Sequence, residues 1–170
     1  LILMCTVAFT VQGMSLFDAI CESFSAVATG GFSNHDASYL YYGNPHIDIC
    51  GMIFMILGGT NFALHYQFFR TGRIGFYWRD EEFRAYVIIL FFGAALVAGT
   101  LLFYHVYPDF KTTLLKSLFT VISMGTTTGA VNADFSHWPT YLPFFVMLMA
   151  AVGGCARSEE RRVGKEGMPV

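Results

Sequence analysis

The sequence predicts an all-α integral membrane fold built from helix–pore-loop–helix repeats. Three observations lead there: an apolar, charge-poor composition, hydrophobic runs of membrane-helix length, and a polar, glycine-bearing break that occurs twice at one spacing. Of the 170 residues, 55% are hydrophobic, 17% aromatic and 13% charged, where an ordinary soluble domain carries about 25% charged residues. The 18 Phe and 9 Tyr suit a bilayer, in which lipid replaces a core and aromatic rings settle at the interfaces. A net charge of −2 gives no reason to expect nucleic acid as a partner. Cys5, Cys21, Cys50 and Cys155 lack metal-ligand spacing and read as small buried hydrophobes.

The elements follow in order. Residues 1–13 are apolar but short of the roughly 20 residues that a span requires. They read as the end of a membrane helix that begins upstream of Leu1. A short amphipathic helix is expected over 15–27, with Phe17, Ile20, Phe24 and Val27 at helical spacing, Ser15 as its cap and Asp18 in its first turn. Residues 28–33 then break the helical pattern between two apolar segments. A membrane helix is expected over 47–69, and a hydrophilic loop over 70–84. The loop's arginines, Arg70, Arg73, Arg79 and Arg84, place it in the cytoplasm by the positive-inside rule. An outward-running helix (85–107), a second short helix (112–124), a second break (126–130) and a second inward helix (141–156) complete the pattern. Each break leaves the outer side and returns to it, which makes it a re-entrant loop rather than a span.

The two breaks align at an offset of 98 residues, the separation of Gly31 and Gly129. At that offset Ser25, Thr29, Gly31, Asn34, Asp36, Ser38 and Pro45 meet identical residues at Ser123, Thr127, Gly129, Asn132, Asp134, Ser136 and Pro143. Internal repeats are common where related units surround one pathway. A lone Thr-Thr-Thr-Gly is usually a turn, and Gly-Gly after a helix is usually a C-cap. Their repetition on one side of the membrane favours another role. Irregular backbone at membrane depth is tolerated only where it is buried in protein or lines water. There, Gly permits the positive φ that turns carbonyls inward, and rings of carbonyls replace a cation's hydration shell. The short helix aims its negative C-terminal end at the same point.

At these residues the chain resembles the Trk-type potassium-uptake subunits, of the superfamily that includes the Ktr and plant HKT transporters. The resemblance covers residues 1–156. Residues 24–38, from Phe24 to Ser38, resemble the second pore loop of that family. Residues 75–84 resemble its cytoplasmic loop between repeats two and three, and Thr126-Thr127-Thr128-Gly129 its third pore loop. Gly153-Gly154-Cys155-Ala156 resembles the start of the Gly-rich break, or gate region, in the third inner helix. The resemblance implies four such repeats around one pore, of which 1–69 belongs to the second and 85–156 to the third. It implies ion ligands among the main-chain carbonyls of Ala28, Thr29, Gly30, Thr126, Thr127 and Thr128, with Gly31 and Gly129 as two of four filter glycines. Potassium would be the transported ion, with no covalently bound cofactor. The implied setting is multi-pass in a bacterial inner membrane, surrounded by lipid. A homodimer working with a cytoplasmic nucleotide-binding Trk regulatory subunit is also implied.

Two departures from the family pattern stand out. Ala130 takes the place of the usual Phe after the third-loop glycine. After Ala156, Arg157-Ser158-Glu159-Glu160-Arg161-Arg162 replaces a Gly-, Ser- and Thr-rich intramembrane loop. Charges at mid-bilayer cost about 2.5–3.5 kcal/mol each, so residues 157–170 are expected to be a non-native tail, a frame-shift or assembly artefact. The alternative, a cytoplasmic tail, leaves 141–156 short for a span.

Asp36 and Asp134 flank the breaks on the outer side. They would concentrate cations at the mouth or cap and tie the loops, and the two roles are compatible. Asn61 and His65 either line the inner pore or bond a neighbouring helix. The five histidines show no helical ligand spacing, and no nucleophile–base pair suggests an enzyme. A sodium-selective or sodium-coupled member of the superfamily is the nearest alternative, because family selectivity depends partly on the first loop. An intramembrane redox or metal protein and a soluble interaction domain are more distant ones.

Overall fold

The computed structural model describes the backbone of residues 1–60, 62–72 and 75–166, and the side chains within these ranges apart from 62, 63, 67, 76, 152 and 155–166. The described residues hold helices and no strand. Eight α-helices run in order: α1 (Ile2–Val11), α2 (Leu16–Val27), α3 (Pro45–Gly59), α4 (Phe62–Thr71), α5 (Gly75–Arg79), α6 (Glu81–Phe103), α7 (Phe110–Gly125) and α8 (Tyr141–Glu166). Single 3-10 turns at Ser38–Tyr41 and Phe135–His137 follow the two breaks.

Local chemistry sets the helix starts. Ser15 Oγ accepts from the Asp18 N–H at 3.1 Å, and Asp80 Oδ1 accepts from the Phe83 N–H at 2.7 Å. Asn44 Oδ1 accepts from the His46 N–H at 3.0 Å ahead of Pro45, whose missing N–H costs nothing in a first turn.

The packing repeats itself. α2 packs on α1 and α3, and α7 packs on α6 and α8. α7 also packs on α3, which joins the two triplets. Between them Tyr39 is buried against the rings of Phe9 and Phe119, with centroids at 6.2 and 5.0 Å. Gly51 of α3 makes room for it, because a Cβ there would lie 2.6 Å from Tyr39 Cε1. Cys5 and Cys50 are buried free thiols, as their apolar surroundings suggest.

Three expectations change. The helix expected over 47–69 is two helices: α3 stops at Gly59, Thr60 is extended (ψ 149°), and the axes of Pro45–Gly59 and Leu64–Thr71 differ by 103°. Gly58-Gly59 weakens the helix there, and the Thr60 hydroxyl takes the Ile56 carbonyl at 2.7 Å. The loop expected over 70–84 contains α5, and α6 starts at Glu81, because Asp80 caps it. α6 is the one described helix long and apolar enough by itself to cross a membrane. Finally, α8 is helical through Gly153 and Gly154, where a break was expected, and continues to Glu166. Asn61 and the side chains of Cys155, Ala156 and 157–170 lie outside the described residues.

Candidate ion-conduction site

Both short helices end in the same way. The Gly30 N–H donates to the Ser25 carbonyl at 2.8 Å, and 98 residues on the Thr128 N–H donates to the Ser123 carbonyl at 2.8 Å. The Ala28 and Thr126 N–H groups donate to Phe24 and Ile122, each at 2.9 Å. These six-residue closures are Schellman ends, which place the residue after the cap in the left-handed region. That residue is usually Gly. Here it is Thr29 (φ +52°) and Thr127 (φ +61°). A β-branched residue at positive φ is strained by about 1–3 kcal/mol, a cost seen mainly where function requires the conformation.

Two residues later φ is positive again, at Gly31 (+71°) and Gly129 (+78°), while Gly30 and Thr128 between them stay negative. In an ordinary strand φ keeps one sign and successive groups face opposite ways. Alternating the sign brings successive carbonyls toward one side. Among the described residues, the carbonyls of Gly30, Thr126, Thr127 and Thr128 accept no hydrogen bond. The Ala28 carbonyl accepts from the Thr29 hydroxyl at 2.7 Å. The Ser123 hydroxyl takes the Ala130 carbonyl at 2.7 Å, and the hydroxyls of Thr126 and Thr128 pair at 2.7 Å. These hydroxyls tie the loop from behind. Ala130, small where a Phe was expected, is buried.

The two breaks touch. A Cβ on Gly31 would lie 1.9 Å from the Thr128 carbonyl oxygen, whereas one on Gly129 would meet nothing within 4 Å. The inner helices approach equally closely. A Cβ on Gly58 of α3 would lie 2.4 Å from the Val27 carbonyl oxygen, and one on Gly153 of α8 would lie 2.2 Å from that of Gly125. Val27 and Gly125 are the last residues of α2 and α7, and they match at the offset of 98. Gly58 and Gly153 do not match at that offset, because the stretch from Gly125 to Gly153 is three residues shorter than that from Val27 to Gly58. The repeat alignment therefore missed this pair, and only a search that allowed a gap would have found it.

Asp36 and Asp134 are both exposed beyond the breaks. Asp134 Oδ1 accepts from the Ser136 N–H at 2.9 Å, and its bonds with Ser136 hold the carboxyl below the usual aspartate range. Asp18 is likewise lowered, by Ser15 first and then Asn34. In the first of the two loops Ser33 donates to the buried carboxylate of Glu22. His65 bonds neighbouring segments, through Nδ1 to the Tyr77 hydroxyl (2.7 Å) and through Nε2 to the Leu57 carbonyl (2.8 Å). Among the described residues no three His, Cys, Asp or Glu side chains converge as a metal site would require.

The family model described as "TrkH: Cation transport protein" matches residues 1–159. The chain is 38% identical over 154 residues to the Trk system potassium uptake protein TrkH of Salmonella typhimurium, covering 91% of this chain and 32% of that protein. It is 33% identical over 154 residues to TrkG of Escherichia coli, covering 91% and 32%. It is 35% identical over 162 residues to TrkI of Halomonas elongata, covering 92% and 31%. The crystal structure of the potassium transporter TrkH from Vibrio parahaemolyticus superposes with a TM-score of 0.85 at 36% identity, over 88% of this chain and 32% of that one. The chain thus spans about a third of the length of these relatives. By family match, by sequence and by fold, it belongs to the TrkH cation transport protein family.

Proposed function

We propose that this chain supplies two of the pore loops of a potassium-uptake transporter, and that residues 1–69 and 85–156 are its second and third repeats. The main-chain carbonyls of Ala28, Thr29, Gly30, Thr126, Thr127 and Thr128 coordinate dehydrated K+, and Gly31 and Gly129 permit the backbone that presents them. Asp36 and Asp134 raise the local cation concentration at the outer mouth. The observation that carries this reading is the twinned backbone: left-handed residues at 29, 31, 127 and 129 at the ends of two matched helices. No step requires chemistry on a substrate, so the activity is transport rather than catalysis. A gate around Gly153-Gly154-Cys155-Ala156 would lie on the inner side of the filter. In this reading the full-length protein sits in the bacterial inner membrane as a homodimer, with a nucleotide-binding regulatory subunit on its cytoplasmic face. The names of the relatives, potassium uptake proteins of a Trk system, support the ion and the existence of further components.

The test is Gly129→Ser in the full-length transporter, expressed in a strain that lacks its own potassium uptake. A Cβ at 129 meets nothing within 4 Å, so the fold tolerates the change while the positive φ becomes costly. Discrimination of K+ over Na+ is expected to fall by about tenfold, the equivalent of about 1.4 kcal/mol. Unchanged discrimination refutes the filter assignment.

A further inference from the structure

Past Gly129 the second break continues outward as Ala130-Val131-Asn132, and this stretch is fastened to the other half of the chain. The Val131 N–H donates to Ser38 Oγ at 3.3 Å, and the Val131 carbonyl accepts from the Leu40 N–H at 3.3 Å. Asn132 Nδ2 donates to Asp48 Oδ2, in the first turn of α3, at 3.0 Å. Lys116, on α7, donates to the Asn132 carbonyl and stands 4.0 Å from the same Asp48 oxygen. Asn132 is 0% exposed and Asp48 4% exposed. A cation, an anion and an amide are thus drawn together away from solvent across the boundary between the two halves.

Such a group is a poor way to gain stability, because apolar residues of equal volume serve as well or better. What it supplies is one geometry. The contact between Gly31 and Thr128 is steric, and a steric contact sets only the closest approach of the two breaks. Something attractive must hold them at that limit. Ser38, Leu40 and Asp48 do so from one half, and Lys116 closes the group from the other.

We propose that Asp48, Asn132 and Lys116 form a clamp across the two repeats that sets the spacing of their pore loops and so contributes to cation discrimination. The three act as positioning residues and do not touch the ion. The proposal rests on the filter reading given above. Lys116 takes the Asn132 carbonyl, as Ser123 takes that of Ala130 and Leu40 that of Val131, so past Gly129 the loop offers no free carbonyl to the pathway over these three residues. Because the two charges offset one another, the clamp adds little field at the mouth while it is intact.

That balance supplies a readout which a packing defect would not give. In the full-length transporter reconstituted in lipid vesicles, uptake of K+ and Na+ is measured for Asp48→Asn, Lys116→Met, their double variant, Lys116→Arg and Gly129→Ser. Each single neutralisation is expected to lower K+/Na+ discrimination by about fivefold, and the double variant to fall short of the product of the two, as coupled residues do. The K+ KM should rise in Asp48→Asn, which leaves a bare cation, and fall in Lys116→Met, which leaves a bare carboxylate. Lys116→Arg should retain the wild-type ratio. Asn132→Ser removes the amide arm without changing charge; it should lower discrimination with KM unchanged, and carries the test for any charge variant that fails to reach the membrane. If discrimination holds in the clamp variants but falls in Gly129→Ser, the clamp is refuted and the filter stands. If it also holds in Gly129→Ser, the filter reading itself fails. KM shifts of the same sign in both charge variants, or fully multiplicative losses, also overturn the clamp.

Discussion

In the first turn of α2, Asp18 accepts from the amide of Asn34, in the loop that follows the helix, at 3.2 Å and faces His35 at 3.6 Å. At the matching position of α7, 98 residues on, Lys116 donates to the carbonyl of Asn132, the counterpart of Asn34. One loop is anchored by an acid and the other by a base, yet the backbone between them and their helices is the same. What the two loops share is the Schellman helix end, a left-handed Thr, a left-handed Gly two residues later, and an inner-helix glycine pressed on the last carbonyl of the short helix. These features lie at the helix end and the break. The anchors lie toward the outside, and there the charge inverts. The backbone of the two breaks is therefore specified by steric and hydrogen-bond constraints, and the anchors beyond them need only match their own surroundings.

The largest effect should come from the place where the loops differ most in space. Gly31→Ala drives a Cβ into the Thr128 carbonyl and occupies a positive φ, while Gly129 has open space at its own Cβ. Potassium uptake by the full-length transporter is expected to fall to background in Gly31→Ala and to persist in Gly129→Ala. Equal uptake by the two would remove the asymmetry between the loops.

A smaller and equal effect is expected where the loops are alike. Gly58→Ala and Gly153→Ala both push a Cβ against backbone, which cannot move aside as a side chain would. Each should destabilise the protein by about 1–3 kcal/mol, read as a lowered midpoint of thermal unfolding in detergent. A loss at only one of them would break the equivalence of α3 and α8.

The smallest effect concerns the outer carboxylates. Bonds with Ser136 lower the Asp134 pKa, so the folded state binds its proton less readily than the unfolded one. The contribution to stability is then fully present above the unfolded aspartate value of about 3.9 and is lost as pH falls through the lower folded value. Asp134→Asn should raise the K+ KM by about twofold or less at neutral external pH. The difference from wild type should persist down to about pH 4, because Asp134 keeps its charge there. A difference already half lost near pH 4, where an ordinary aspartate titrates, would show that Ser136 does not hold the carboxyl.

Much of this was legible in the residues. The offset of 98 located both breaks, and the Ser, Thr and Gly identities at 25, 29 and 31 proved to be the closure, the first left-handed residue and the second. Composition and apolar runs indicated an all-α membrane fold. The division of 47–69 was not legible, since Gly58-Gly59 occurs in many intact helices and the break depends on where Thr60 is extended. The Gly58–Gly153 equivalence escaped because helix contacts follow geometry, and a three-residue gap hides them from a fixed offset. The joining of Asp48 to Lys116 and Asn132 was invisible because the partners are 68 and 84 residues apart in sequence and meet only when α3 packs on α7.

The glycines at the helix contacts also bear on movement. With backbone touching backbone at Gly58 and Gly153, neither inner helix can turn about its own axis there: one residue of rotation, about 100°, would drive a side chain into a carbonyl. Each contact acts as a bearing, at the C-terminal end of α3 and midway along α8. Any swing in the first half of the chain has to come from α4, beyond the change of direction at Thr60. A lever pivoting there would widen or narrow the proposed passage on its inner side and leave the carbonyls of the two breaks still.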